Sequence, residues 1–192
     1  IAILGGDKNW LAADQTSGPY ANYVYTCMTS TSYNSGKFAR STDLGQTWTT
    51  TFTTSQQSLP GMMVAVGPDG DIQGGSVYVV ANGGSAFNSK YTFFESNDGG
   101  ATFSQKSSQF FANTVGNNVN GRNSVSNMRT RPYPFIAADN SYGPSRGRLY
   151  CVYASNDPPG SGNKPDVWCR SSDDGGSTWS NEVIVNDDAN TS

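Results

Sequence analysis

The sequence predicts an all-β protein: a β-propeller of four-stranded antiparallel blades, with about three blades in this chain. Three observations predict it. An octapeptide of the form S-x-D-x-G-x-T-(W/F) occurs three times. The same four strand-like segments flank each copy in the same order. Only 14% of the 192 residues are charged, whereas 12% are aromatic and 22 are Gly. Helices usually carry their solvent face on Glu, Lys and Arg, so long helices are excluded, and many turns with many aromatics indicate short strands.

The octapeptides are Ser41–Trp48 (STDLGQTW), Ser96–Phe103 (SNDGGATF) and Ser172–Trp179 (SDDGGSTW). A first strand precedes each and ends at an Asp: Trp10–Asp14, Met63–Asp69 and Phe135–Asp139. A second is built on an apolar-Tyr pair: Val24-Tyr25, Val77-Tyr78 and Leu149-Tyr150. A third enters the octapeptide (Lys37–Arg40, Tyr91–Glu95, Asp166–Arg170), and a fourth leaves it (Thr49–Thr53, Ser104–Ser108, Ser180–Val185). Four strands repeated at this spacing describe propeller blades. A sandwich does not require the same turn chemistry three times. The blades are expected at about residues 1–55, 56–112 and 128–188 of a single unit spanning 1–192. Insertions fall between units at Phe110–Arg131 and inside a hairpin at Ser155–Pro165, where binding groups usually sit.

Each octapeptide lies between a third and a fourth strand and reads as a hairpin turn. Asp43, Asp98 and Asp174 can accept backbone N–H bonds and close it. Gly45, Gly100 and Gly176 permit positive φ. Trp48, Phe103 and Trp179 return into the sheet to bury an apolar ring against a neighbouring blade. Ser41, Ser96 and Ser172 add hydroxyl bonds. All these roles are structural, because a grafted site does not repeat identically in every unit.

The pattern resembles the Asp-box (BNR) repeat of the sialidase-like propeller families, and the resemblance runs from Asp7 to about Asn186. The opening Asp7–Asp14 (DKNWLAAD), with Ser17–Tyr20 and Asn22–Tyr25, is similar to secreted bacterial proteins of that kind. The resemblance implies that the boxes lie on the face away from any active site. It also implies a catalytic set of an arginine triad, a Tyr–Glu nucleophile pair and an Asp acid/base. The family's Arg-Ile-Pro segment is missing, and Arg129–Pro134 (RTRPYP) does not match its spacing. The expected function is therefore an extracellular module, non-catalytic, binding glycan or protein or serving as scaffold. The alternative is part of a sialidase-type exo-glycosidase.

Glycoside hydrolysis by two carboxylates would draw on Asp7, Asp14, Asp69, Asp139 and Asp157, which their blade positions make turn-closing residues first. The candidates for catalysis are Asp7, Arg131 and Asp139, which flank the innermost, channel-lining strands. Tyr20, Tyr133 and Tyr142, beside Pro or Gly, are the candidate sugar platforms; Tyr33 and Tyr153 also lie near loops. Asp69 and Asp71 in GPDGD could hold Ca²⁺, but lack the rest of a calcium loop and read as a turn. Asp187-Asp188 reads as a solvated turn. No cofactor is otherwise expected. The absence of histidine excludes His triads and His metal sites from this chain.

A net charge of −3 offers no basic face for nucleic acid. No apolar run approaches the ~20 residues of a membrane span. Low charge with abundant Ser, Thr, Asn and Gly suits a secreted or cell-surface protein. The chain begins at Ile1, so it is expected to be processed or excised from a longer one. Three blades do not close a ring, so the expected partners are the remaining blades of the same protein or another chain. Cys27, Cys151 and Cys169 are either three buried thiols or one Cys151–Cys169 disulfide across a hairpin near Gly160, with Cys27 left free.

Overall fold

A computed structural model describes residues 2–85, 88–113, 115–156 and 165–187. The described residues contain strands and no helix. The first sheet is β1 (Gly6–Ala13), β2 (Val24–Ser30), β3 (Gly36–Ser41) and β4 (Thr49–Thr53). The second is β5 (Leu59–Asp69), β6 (Ile72–Ser85), β7 (Asn88–Ser96) and β8 (Ser104–Asn113). A small sheet follows, of β9 (Asn117–Val119), β10 (Arg122–Val125) and β11 (Met128–Arg129). The last is β12 (Phe135–Ala138), β13 (Leu149–Ser155), β14 (Asp166–Ser172) and β15 (Val183–Ile184). Each four-stranded sheet is an antiparallel meander in sequence order, as a propeller blade requires. The third blade begins at Phe135 rather than at residue 128, because Met128 and Arg129 pair with Val125 and Ser124 of the small sheet.

The innermost strand β5 packs against both β1 and β12, and Trp10 meets Phe135 edge-on at 5.5 Å. Alternation along the strands sends side chains to both faces of each blade, so the apolar core lies between blades. One cluster joins Tyr25, Cys27 and Phe38 of the first blade to Val64, Val77, Val79 and Phe94 of the second. Another joins Val80, Tyr91 and Phe93 of the second to Cys151, Tyr153 and Trp168 of the third.

The three octapeptide turns share one hydrogen-bond pattern. The Ser hydroxyl donates to the Asp carboxylate and accepts from the Gly N–H. The carboxylate accepts from the Thr backbone N–H and hydroxyl at 2.5–2.9 Å. Those bonds favour the anion. Asp43 is lowered to about 2, chiefly by the Thr47 hydroxyl and N–H. At Asp98 burial acts upward, yet bonds from Thr102 and Ser96 outweigh it and hold the group at about 2. Asp174 is lowered in the same way against its own burial. A folded pKa below the unfolded value of about 3.9 gives stability that is complete above that value and lost as pH falls through the folded one. Acid unfolding followed by tryptophan fluorescence is therefore expected to begin below about pH 4, and Asp98→Asn is expected to flatten that acid limb.

The first turn departs at one position. Leu44 stands at φ +61°, where the other two turns carry Gly99 (+64°) and Gly175 (+68°). A left-handed Leu costs about 1–2 kcal/mol, while glycine's freedom in the unfolded chain offsets up to about 1 kcal/mol of any gain from replacing it. Leu44→Gly is expected to raise the Tm of the dilute chain by roughly 1–4 °C, read by calorimetry.

The cysteines correct the disulfide expectation. All three are free thiols. Cys151 stands opposite Arg170, and Cys169 opposite Val152, so the two cysteines are one residue out of register and point to opposite faces of the blade. Cys151 is sealed between blades, where burial pushes its thiol up. Cys169 is half-buried on the other face.

Candidate functional site

The octapeptide turns and Asp14, Asp69 and Asp139 lie together at one end of the blades. At the opposite end is a cleft of about 230 Å³. Its walls come from separate segments: Asp7 and Lys8 of β1, Tyr33 of the β2–β3 turn, Leu59, Pro60 and Asn82 of β5 and β6, and Arg129 and Arg131–Tyr133 leading out of the small sheet.

Local backbone irregularity aims several of these side chains. The β1–β2 register shifts between Asp7 and Trp10, and Lys8 takes φ +52°. Bulges beside sites re-aim side chains in this way. Tyr33, at φ +56°, is held by N–H to Ser30 O at 3.0 Å and by the Ser58 N–H on its carbonyl at 3.1 Å. Left-handed non-glycine residues persist where the surroundings over-determine them. Arg131 and Tyr133 are fixed through the chain between them. The buried Tyr91 hydroxyl donates to Pro132 O at 2.6 Å, and the Tyr133 N–H donates to Arg131 O at 2.9 Å. The Tyr133 ring lies against Gly61 at φ +109°, where a Cβ would meet the ring at 2.5 Å.

The Tyr33 hydroxyl donates to Asp7 Oδ2 at 3.0 Å. That bond and the Asp7 charge raise the Tyr33 pKa, against Arg129. Tyr133 is raised by burial, against Arg131 and Arg129. Both phenols therefore act as neutral donors. The Lys8 ammonium lies 5.2 Å from the Tyr133 ring centroid. Lys8, Arg129 and Arg131 take part in none of the ion pairs among the described residues, which are Lys106–Glu95, Arg148–Asp173 and Arg170–Glu182. The cleft is thus cationic in an acidic chain. Asn82 is 2% exposed; its amide N–H donates to Pro60 O at 3.2 Å, and its Oδ1 has no partner among the described residues. A buried acceptor left open beside a cleft is costly unless a ligand or water completes it.

The structure brings Asp7, Arg131 and Tyr133 together and separates them from Asp139. Asp139 sits at the octapeptide end, where its carboxylate accepts the Ser141 N–H at 2.7 Å, as Asp14 accepts the Thr16 N–H at 2.8 Å. It closes a turn, so the grouping of Asp7, Arg131 and Asp139 is corrected. Tyr20 and Tyr142 also lie at the octapeptide end. Tyr20 packs on Tyr23 and over Gly99, and exposed Tyr142 stacks on Arg146 and bonds to Gln73. Tyr153 is buried beside Phe111. Asp69 pairs with Ile72 across a turn with Gly70 at φ +54°. No three His, Cys, Asp or Glu among the described residues are grouped to hold a metal ion. Asp157 and Asp188 lie outside the described residues. Lys8, Asn82 and Arg129 were not expected from the sequence. Asn82 left the one legible signal, a polar residue ending the apolar run Val77–Ala81.

The fold is the β-propeller one, built of four-stranded antiparallel blades, and solved structures share it. The chain is similar to the α-L-arabinofuranosidase of Fusarium graminearum solved with an iminosugar inhibitor, with a TM-score of 0.64 and 12% identity over 93% of this chain and 48% of that one. It is similar also to the Penicillium chrysogenum α-L-arabinanase solved with arabinobiose, with a TM-score of 0.59 and 14% identity over 95% of this chain and 50% of that one. The chain spans about half the length of these structures. No family model matches the sequence, and no curated protein matches it.

Proposed function

We propose that this chain supplies three blades of a secreted propeller glycoside hydrolase, and that the cleft at Asp7 is part of its sugar site. The observation that carries this reading is the cleft itself. A carboxylate–phenol pair, two arginines, a lysine beside a tyrosine ring and an open buried acceptor converge at the end opposite the Asp-box turns. The likeness to the two glycosidases supports the enzyme over a plain scaffold. The cationic wall favours an acidic sugar, because arginine forks match carboxylate geometry. The remaining blades would come from the rest of the protein.

One observation favours the non-catalytic reading of the isolated chain. Asp7 is the one carboxylate among the described cleft residues, whereas hydrolysis of this class uses two. The two readings separate by titration calorimetry with glucuronic acid, sialyllactose and arabinobiose, beside release assays on chromogenic glycosides. Binding without turnover is expected of this chain, with the acidic sugars held more tightly. Failure of every sugar to bind at millimolar concentration removes the sugar site.

A further inference from the structure

The small sheet β9–β11 stands between the second and third blades, and two tight hairpins build it. Asn120 and Gly121 turn β9 into β10 at φ +51° and +77°, and Ser126 and Asn127 turn β10 into β11 at φ +47° and +68°. Two central residues at positive φ give the hairpin turn that matches the right-handed twist of its strands. Register then decides which side chains share a face. Arg129 pairs with Ser124, and Arg122 lies two residues from Ser124 on the same strand, so both arginines belong to one face. The Thr130 N–H donates to Asn123 O at 2.9 Å, which carries the same register one step on and brings Arg131 toward Arg122.

Three arginines therefore crowd a face that leads into the cleft, whose wall Arg129 and Arg131 form, while Arg122 stands outside it. Cross-strand neighbours on one face are about 5–8 Å apart, and like charges there repel. None of the three guanidinium groups joins a hydrogen bond or an ion pair among the described residues. Arg122 and Arg129 are exposed. With Lys8 they gather four of the 12 Lys and Arg of a chain whose net charge is −3, so the patch is a local feature and not part of a basic surface. An anion laid along this face would turn the repulsion into attraction.

We propose that the small sheet is the platform for a polyanionic glycan, and that Arg122 holds the acidic group of a sugar unit next to the one in the cleft. The proposal rests on the reading of the cleft as a sugar site and extends it from a single acidic sugar to a chain of them, carboxylated or sulfated. Arginine forks bond either group with two parallel N–H donors. The neighbours of Arg122 on this face, Asn117, Val119 and Ser124, present no aromatic ring on which a nucleic-acid base would stack, which favours a glycan over a single strand of DNA or RNA.

The test is titration calorimetry of the 192-residue chain with galacturonic acid, a sulfated galactose, the trisaccharide of each, and arabinotriose as the neutral control. Arg122→Ala and Arg122→Lys are run beside the parent; the site is exposed and unpaired, so folding tolerates both. An acidic trisaccharide is expected to bind at least tenfold more tightly than its single unit, and the series that shows the gain names the anion. Arg122→Ala is expected to remove most of that gain and to leave the affinity for the single unit within twofold, and Arg122→Lys to keep part of it. The gain is expected to shrink at ~1 M ionic strength, where the screening length is about 3 Å. Equal affinity for one unit and three in both series, an equal gain for arabinotriose, or a gain untouched by Arg122→Ala overturns the proposal. So does tighter, Arg122-dependent binding of a short single-stranded DNA, which makes the platform a nucleic-acid site. The single acidic sugar is judged separately through Arg131→Ala, so the platform can fail while the cleft reading stands; if no acidic sugar binds at all, both fall.

Discussion

Phe38→Ala is expected to destabilise the chain by about 3–5 kcal/mol, a large share of the roughly 5–15 kcal/mol that holds a domain together. Phe38 is fully buried at the first junction. Its ring stacks on Tyr25 at 5.9 Å and receives Phe103 edge-on at 4.7 Å, and the backbone of Gly100 comes to rest against it. Truncation leaves a cavity that the rigid turn cannot fill, so the cost combines lost apolar transfer with the void. Calorimetry should show Tm falling by roughly 6–20 °C. The alternative, that the turns hold themselves and the rings are incidental, requires a shift of no more than a degree or two.

Arg131→Ala is expected to reduce affinity for an acidic sugar about 10–100-fold, the loss of one charge-assisted hydrogen bond of about 1.5–3 kcal/mol. Tm should stay within about 1–2 °C of the parent. Arg131 is half-exposed and outside every ion pair among the described residues, so its removal exposes no buried partner. Affinity for arabinobiose should hardly change. Titration calorimetry on both sugars checks the pattern. Equal losses on the acidic and neutral sugars would falsify the assignment of a carboxylate to this wall.

Much of the fold was legible in the sequence because its determinants are local. Ser41, Asp43, Gly45 and Thr47 bond among themselves within one turn, and the same spacing at Ser96 and Ser172 carries the same bonds. Strand register is set more remotely, and there the reading failed. Spacing alone could not reveal that Cys151 faces Arg170 instead of Cys169. The fourth strand of the last blade reduces to Val183–Ile184, because the chain before it spends its contacts on Arg170 and Ser171. The cleft was less legible than the turns. Asp7, Tyr33, Asn82 and Arg131 are far apart in the chain and meet only when three blades are arranged about an axis. Asp139 was legible from its repeat position: it ends a first strand as Asp14 and Asp69 do, which in an antiparallel meander is the octapeptide end, whereas Asp7 begins one and lies at the other.

The cleft has Asp7, Lys8 and Tyr33 on the first blade, and Arg129 and Arg131 on the connection into the third. Asn156 of the third blade clamps that connection with two bonds to the backbone of Gly116. A bound sugar spanning both walls would act as a brace between the outer blades. Its occupancy and their relative tilt are then linked quantities, and by reciprocity whatever splays the blades must also loosen the sugar.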